Sequence, residues 1–198
     1  AYVQSQILMQ RQLFYAGGVQ LYGGQPGAPN IENASVITLG ENQATTIQRN
    51  GRSYGVVTQN YAIFPEASGP LTVPAVEMTA SVRMLNNGRV SRKGVRVATE
   101  AAAINVMPIP DSYPKNSPWL PATNVSITQT LEPAVTEIPF NVGDTLTQAI
   151  KITVESNNSS IVPPLTSALP ADIFREYPEP AKLTNSTQGT KVVGQRME

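Results

Sequence analysis

Residues 45–74 read TTIQRNGRSYGVVTQNYAIFPEASGPLTVP, and this stretch decides the fold class. The Asn50-Gly51 pair is a strong hairpin signal, because both residues tolerate the positive φ angles that a two-residue turn between strands requires. Residues 53–64 follow as a long run rich in apolar and β-branched side chains, which predicts a strand that returns beside the one before the turn. Pro65 ends this run. The stretch therefore predicts antiparallel pairing.

The strand pattern continues on both sides of this stretch. Alternating residues at 5–15 and a β-branched run at 35–39 predict strands before it. Residues 71–79 are expected to run back from a turn at 68–70, and residues 95–106 are expected to form the last strand of the module. Strands joined by Gly- and Pro-containing turns at this spacing predict an all-β module of the β-sandwich type.

A proline-rich stretch marks the predicted domain boundary. Proline has no backbone N–H and favours extended, semi-rigid chain, so the five prolines between residues 107 and 121 predict a linker. We predict a first module at 1–107, a linker at 108–118 and a second module at 119–198. Trp119 is expected to pack in the seam between the modules, with an exposed anchor for a partner protein as the alternative.

The second module shows fewer strand signals. Residues 124–130 and 145–155 alternate and predict strands, residues 157–160 predict a loop, and a last strand is expected to begin at residue 191. Two glycine hairpins, at Gly51 and at Gly189, are offset by 138 residues, which suggests an internal repeat. On this reading the second module is incomplete in the sequence and leaves an open sheet edge.

Composition excludes several classes of function. Hydrophobic residues make up 40% of the chain and charged residues 14%, against about 25% charged in average domains. Lys plus Arg and Asp plus Glu number 14 each, so no net field attracts nucleic acid. A local basic cluster is expected to be a solvated hairpin; its members are Arg83, Arg89, Arg92, Lys93 and Arg96.

The chain contains neither Cys nor His. Thiol nucleophiles, thiolate or imidazole metal sites and the usual proton shuttle at neutral pH are therefore missing from the sequence. We predict no catalytic residue, no cofactor, no metal site and no small-molecule substrate, and hence a protein that is not an enzyme. The loop at 17–30, which carries Tyr22, is the predicted contact site for partner proteins, with a disordered connection as the alternative.

Several short motifs resemble the BatD family, also called the oxygen tolerance or aerotolerance family. The resemblance extends over nearly the whole chain in the same order. The motifs are NGRSY at 50–54, YAIFP at 61–65, SG at 68–69, LTVP at 71–74, WLPA at 119–122 and VGDTLT at 142–147.

The resemblance implies two tandem immunoglobulin-like β-sandwich modules of a bacterial envelope protein, on the periplasmic side of the inner membrane. It implies a parent chain anchored in the membrane outside this internal fragment, and a non-catalytic scaffold or adaptor that makes protein–protein contacts in a membrane-associated stress complex. The family is encoded beside a MoxR-type ATPase and membrane proteins with von Willebrand A domains. Those A-domain proteins are the expected partners.

The implied partners suggest a sharper contact hypothesis. A von Willebrand A domain can bind an exposed acidic side chain through its metal ion, so Glu32, Glu41 or Asp111 is expected to be presented to it. The alternative function is a surface adhesin or a carbohydrate-binding β-sandwich module. That alternative would need aromatic platforms on one face, and the chain has 7 Tyr, 4 Phe and 1 Trp.

Overall fold

A computed structural model describes residues 1–23, 25–86, 88–134, 140–165 and 169–198. Within these ranges the regular elements are thirteen β-strands and one three-residue 3-10 helix, Ser159–Ile161. The predicted all-β class is confirmed. The chain divides into two compact units, Ala1–Asp111 and Ser112–Glu198. The point of division falls within the stretch at 108–118.

The main sheet of the first unit is built around β5 (Arg52–Pro65). β1 (Ile7–Ala16) pairs antiparallel with one side of β5, whereas β3 (Ala34–Thr38) and β4 (Gln43–Arg49) pair with successive parts of its other side. The long apolar run is thus the strand with which all the others in this sheet pair.

The hairpin between β4 and β5 forms where the sequence predicts it. Arg49 pairs with Arg52 across the turn, and Asn50 and Gly51 adopt φ angles of 52° and 70°. Two successive residues with positive φ are the geometry of a type I′ turn, which matches the right-handed twist of the flanking strands.

After β5 the chain leaves the main sheet. The predicted strand at 71–79 is wrong as a single element, because it is divided between β6 (Gly69–Val73) and β7 (Glu77–Asn86). β6 pairs with β9 (Ala102–Val106) instead of with β5. The strand stops at Val73 because Pro74 lacks the N–H that would continue the ladder. β7 then starts in a different sheet.

A third sheet of the first unit consists of β2 (Gln20–Tyr22), β7 and β8 (Arg89–Ala98), in that order. The expected strand at 95–106 is therefore wrong as a single element, since it is divided between β8 and β9. Thr99 lies at the break: its N–H donates to the carbonyl of Val76 over 3.0 Å, and its hydroxyl accepts from the N–H of Val76 over 2.9 Å. These two bonds hold the chain where it passes from one sheet to the other.

The core of the first unit lies between two layers. Ile63 from the main sheet packs with Leu71 from β6 and Val106 from β9, together with Ile31 from the segment before β3. Four apolar side chains buried in this way each stabilise the fold by about 1.5–3 kcal/mol relative to exposure. The main sheet and the β6–β9 pair therefore form a sandwich.

The second unit contains a four-stranded antiparallel sheet in the order β10-β11-β13-β12. Its strands are β10 (Asn124–Glu132), β11 (Thr147–Glu155), β12 (Lys182–Gln188) and β13 (Lys191–Met197). β12 was not predicted, because all seven of its residues are exposed and its sequence, KLTNSTQ, shows no buried face. Pairing with β13 across the turn at Gly189 and Thr190 makes it a strand.

The core of the second unit is covered by irregular chain. Ile152 and Val154 of β11 are buried with Val162, and Leu120, Ala122 and Leu165 pack against them. The predicted loop at 157–160 is part of this cover, since Asn157, Asn158 and Ser159 are all buried. Among the residues described for this unit, one sheet is present.

The two glycine hairpins occupy corresponding places in their units. Gly51 closes the turn into β5 and Gly189 the turn into β13, and both have positive φ. Each hairpin leads into an interior strand of its sheet, and this strand pairs on its other side with a long antiparallel neighbour, β1 or β11. The arrangement agrees with the suggested repeat.

Candidate protein-contact surface

The sheet formed by β2, β7 and β8 has two unlike faces. Residues that lie directly opposite each other in an antiparallel pair point to the same face. Leu21, Met78, Val82 and Val95 lie on the less exposed face. The other face is open to solvent. Its central part, called here the Tyr22 face, consists of Gln20, Tyr22, Arg83, Leu85, Val90 and Arg92.

Polar contacts hold the side chain of Tyr22 in place. Its hydroxyl donates to Oε1 of Gln20 over 2.9 Å, and Nη1 of Arg83 donates to the same oxygen over 3.4 Å. The guanidinium carbon of Arg92 lies 5.2 Å from the centre of the Tyr22 ring, a cation–π contact worth about 0.5–1 kcal/mol at an exposed site. The ring is therefore held by the hydrogen bond to Gln20 and by the contact with Arg92.

Apolar side chains lie beside these arginines. Leu85 and Val90 form a directly opposed cross-strand pair and are 70% and 52% exposed, and Tyr22 is 42% exposed. An open depression of about 240 Å³ is lined by Gly18, Gln20 and Arg83 together with this pair. Tyr and Arg around an apolar centre are the residue types that dominate binding energy in protein interfaces.

The charge of the Tyr22 face is positive. Arg83 and Arg92 belong to it, and the six residues that define it include no acid. Glu77 lies on β7, the strand that also carries Arg83, and forms an ion pair with Arg96. The face is therefore suited to a partner surface that offers carboxylates next to apolar groups.

The predicted contact loop at 17–30 is held down by a residue that the sequence interpretation missed. The loop contains β2, and Nη2 of Arg11 donates to the carbonyls of Pro26 and Gly27, the latter over 2.8 Å. Nε of Arg11 donates to Oε1 of Gln59 over 2.9 Å. Arg11 thus ties the loop to the main sheet.

The position of Arg11 carried a signal for this role. In β1, exposed and less exposed residues alternate, and Arg11 lies on the less exposed side with Met9 and Leu13. A lone arginine in an inward register needs acceptors nearby, because an unpaired buried charge is costly. Nη1 of Arg11 is buried without a hydrogen-bond partner in the described residues.

The other predicted contact residues lie in separate segments. Trp119 is half-buried and packs within the second unit, its ring edge-on to Tyr113 with 4.8 Å between the ring centres. Glu32, Glu41 and Asp111 are exposed and lie in turns or bends. No group of three potential metal-binding side chains occurs in the ranges that the structure describes.

A perturbed carboxyl group occurs at the edge of the second unit. The hydrogen bond from Nζ of Lys191, 2.9 Å from Oε2 of Glu155, lowers the pKa of Glu155, and a hydrogen bond from Asn124 adds to this effect. These contacts join the ends of β10, β11 and β13. The carboxyl group is partly exposed and ion-paired, and its contacts connect three strands of the sheet.

The described part of the chain has no helix long and apolar enough to cross a membrane. No protein-family model, no curated protein and no solved structure matches this chain.

Proposed function

We propose that this chain is a non-catalytic scaffold or adaptor that binds other proteins. The observation that carries the proposal is the Tyr22 face, where a fixed aromatic ring, two arginines and an exposed apolar pair share one sheet surface. A surface that is ordered before binding loses less conformational entropy when the complex forms. The ring of Tyr22, already held by Gln20 and Arg92, meets this condition.

The resemblance to the BatD family supports a more specific assignment. Under it, the chain works on the periplasmic side of the inner membrane of a bacterium, in a membrane-associated complex linked to aerotolerance and stress. The parent chain is then anchored in the membrane outside the present sequence. The partners are membrane proteins with von Willebrand A domains encoded beside the family.

Binding to the soluble A domain of such a partner tests the proposal. Tyr22→Ala should weaken the affinity at least about tenfold, because truncating an anchor residue costs more than about 1.4 kcal/mol. The matched control is Tyr177→Ala: Tyr177 is 76% exposed, and its ring also lies under an arginine, Arg175, at 5.4 Å. Biolayer interferometry on the intact chain gives both affinities.

Three outcomes contradict the proposal. One is an affinity unchanged by Tyr22→Ala, and another is an equal loss with Tyr177→Ala. The third is binding to a glycan array that Tyr22→Ala abolishes, which would assign the same ring to a carbohydrate platform and favour the adhesin alternative.

A second contact concerns the exposed acids. If Glu32, Glu41 or Asp111 completes the metal coordination of the A domain, binding should require magnesium and should be lost in one of the three single Ala variants. Removing magnesium with EDTA and adding it back separates this contact from that of the Tyr22 face. Unchanged affinity in all three variants would end the acid hypothesis and leave the Tyr22 face as the contact.

A further inference from the structure

The strand β8 forms one edge of its sheet. In the order β2-β7-β8, its ten residues pair with β7 on one side. In an antiparallel pair, every second residue of an edge strand directs its N–H and C=O away from the neighbouring strand. β8 therefore presents a row of backbone donors and acceptors that can receive another strand.

The side chains along this edge are strongly cationic. β8 contains Arg89, Arg92, Lys93 and Arg96 and has no acid. Arg92 and Arg96 lie on the same face as Tyr22, whereas Arg89 and Lys93 lie on the opposite face. Arg96 forms an ion pair with Glu77, so the positive charge that no acid pairs with in the described residues lies at Arg89, Arg92 and Lys93, which cover both faces of the half of β8 nearer the hairpin.

This charge selects the occupant. A second copy of β8 paired at this edge would place cations beside cations, which destabilises cross-strand pairs. An acidic strand would place carboxylates there instead, and each favourable cross-strand charge pair contributes about 0.2–1 kcal/mol. The cations thus disfavour self-association and favour one class of ligand.

We propose that the edge of β8 that faces away from β7, which pairs with no other strand in the described residues, binds an acidic, extended segment of a partner protein as an added β-strand. The inference rests on the proposed protein-binding function and names the chemistry of the ligand. Backbone hydrogen bonds to β8 supply affinity, and the three cations that no acid pairs with in the described residues, Arg89, Arg92 and Lys93, supply selectivity for the acidic segment. The exposed Val90 lies at the hairpin end of the same strand and offers an apolar contact beside the charges.

Three labelled peptides test both elements of the proposal. The first is a ten-residue peptide of alternating Glu and Val, the second replaces each Glu by Lys, and the third is the acidic peptide N-methylated at alternate residues along one edge. Fluorescence anisotropy with the intact chain should show that the acidic peptide binds at least about tenfold more tightly than either other peptide. The binding should weaken as salt is raised, because the charges are exposed.

Variants locate the site. Arg92→Glu and Lys93→Glu should each weaken binding of the acidic peptide at least about threefold, whereas the matched control Arg175→Glu should not change it. Amide hydrogen exchange should slow along β8 when the acidic peptide binds.

Several results would overturn the inference. Equal affinity for the N-methylated peptide would mean that charge alone attracts the ligand and that no strand is added. Protection from amide exchange outside β8 would mean that the peptide binds elsewhere. A dimer of this chain that pairs through β8 would mean that the edge serves self-association. If the A domain binds through Tyr22 but the acidic peptide fails to bind, the inference falls and the proposed function stands.

Discussion

β5 in the first unit and β13 in the second are interior strands, and each contains a glycine against which other atoms pack closely. The atoms that cover the glycine differ between the two units. A Cβ atom added at Gly55 would overlap the ring of Tyr15, whereas one added at Gly194 would overlap backbone atoms of Asn158 and Ser159. In the first unit a side chain thus closes over the strand. In the second unit the main chain itself does so.

The second solution needs polar side chains inside the core. Asn157 is fully buried; its Nδ2 donates to the carbonyl of Pro121 over 2.8 Å, and its Oδ1 accepts from the N–H of Asn158 over 2.8 Å. Oδ1 of Asn185 accepts from the N–H of Ser159 over 2.7 Å. The comparison teaches that irregular chain can cover a sheet when side chains of the cover, such as Asn157, and of the sheet, such as Asn185, satisfy the buried backbone groups.

The largest effect is expected in the side-chain core of the first unit. Ile63→Ala should lower the free energy of unfolding by about 2–5 kcal/mol, because it leaves a cavity where β5, β6 and β9 meet. Amide hydrogen exchange in β1 and β5, recorded at increasing urea concentrations, measures the change in the free energy of unfolding. The control Ile47→Ala removes a side chain that is 37% exposed, and a comparable loss there would contradict the assigned core.

The two glycines test the difference between the covers directly. Gly194→Ala should destabilise the second unit towards the upper end of about 1–3 kcal/mol, because backbone atoms cannot move aside cheaply. Gly55→Ala should cost less, because the partly exposed ring of Tyr15 can rotate outward. Denaturation of the second unit is followed by the fluorescence of Trp119. Equal costs, or the reverse order, would show that the kind of cover does not matter.

The hydrogen bonds of Asn157 in the second unit predict a somewhat smaller loss of stability when this residue is replaced. Asn157→Ala leaves the carbonyl of Pro121 and the N–H of Asn158 without these partners, which should cost about 1–3 kcal/mol. The exposed Asn116 provides the control, and its Ala variant should change stability by less than about 0.5 kcal/mol. Thermal denaturation of both variants makes the measurement, and similar midpoints would refute the role of Asn157.

The smallest contribution to stability is expected from the partly exposed carboxyl group of Glu155. Its pKa is lower in the folded chain than in the unfolded chain, so its contribution to stability is present above the ordinary carboxyl pKa and is lost as pH falls through the lowered value. Lys191→Met should raise the pKa of Glu155 towards its ordinary value, since the main hydrogen bond is removed. An NMR titration of the side-chain carboxyl carbon measures it; an unchanged pKa would contradict the cause.

Local chemistry made some elements predictable. The Asn50-Gly51 turn and the long strand after it depend on residues close together in sequence, so the pattern predicts them correctly. The path after β5 could not be predicted in the same way. That Pro74 ends a strand is a local fact, but the pairing of β6 with β9 depends on residues about thirty positions away.

The candidate surface was predictable in part. The sequence indicated Tyr22 as a contact residue and the basic cluster as a solvated hairpin, and the structure places Arg92 of that cluster over the Tyr22 ring. The two residues could not be brought together from sequence, because β2 and β8 do not pair with each other but lie on opposite sides of β7. Arg11, which holds the contact loop, was missed although its inward register was visible.

By itself the sequence determined the all-β class, the glycine hairpins and the absence of cysteine and histidine chemistry, because these follow from residue types and short-range patterns. Only the tertiary structure decided which strands share a sheet, that β12 is a strand and that Asn157, Asn158 and Ser159 of the predicted loop are buried. The physical reason is that strand pairing and burial are set by partners distant in sequence, and no local pattern records them.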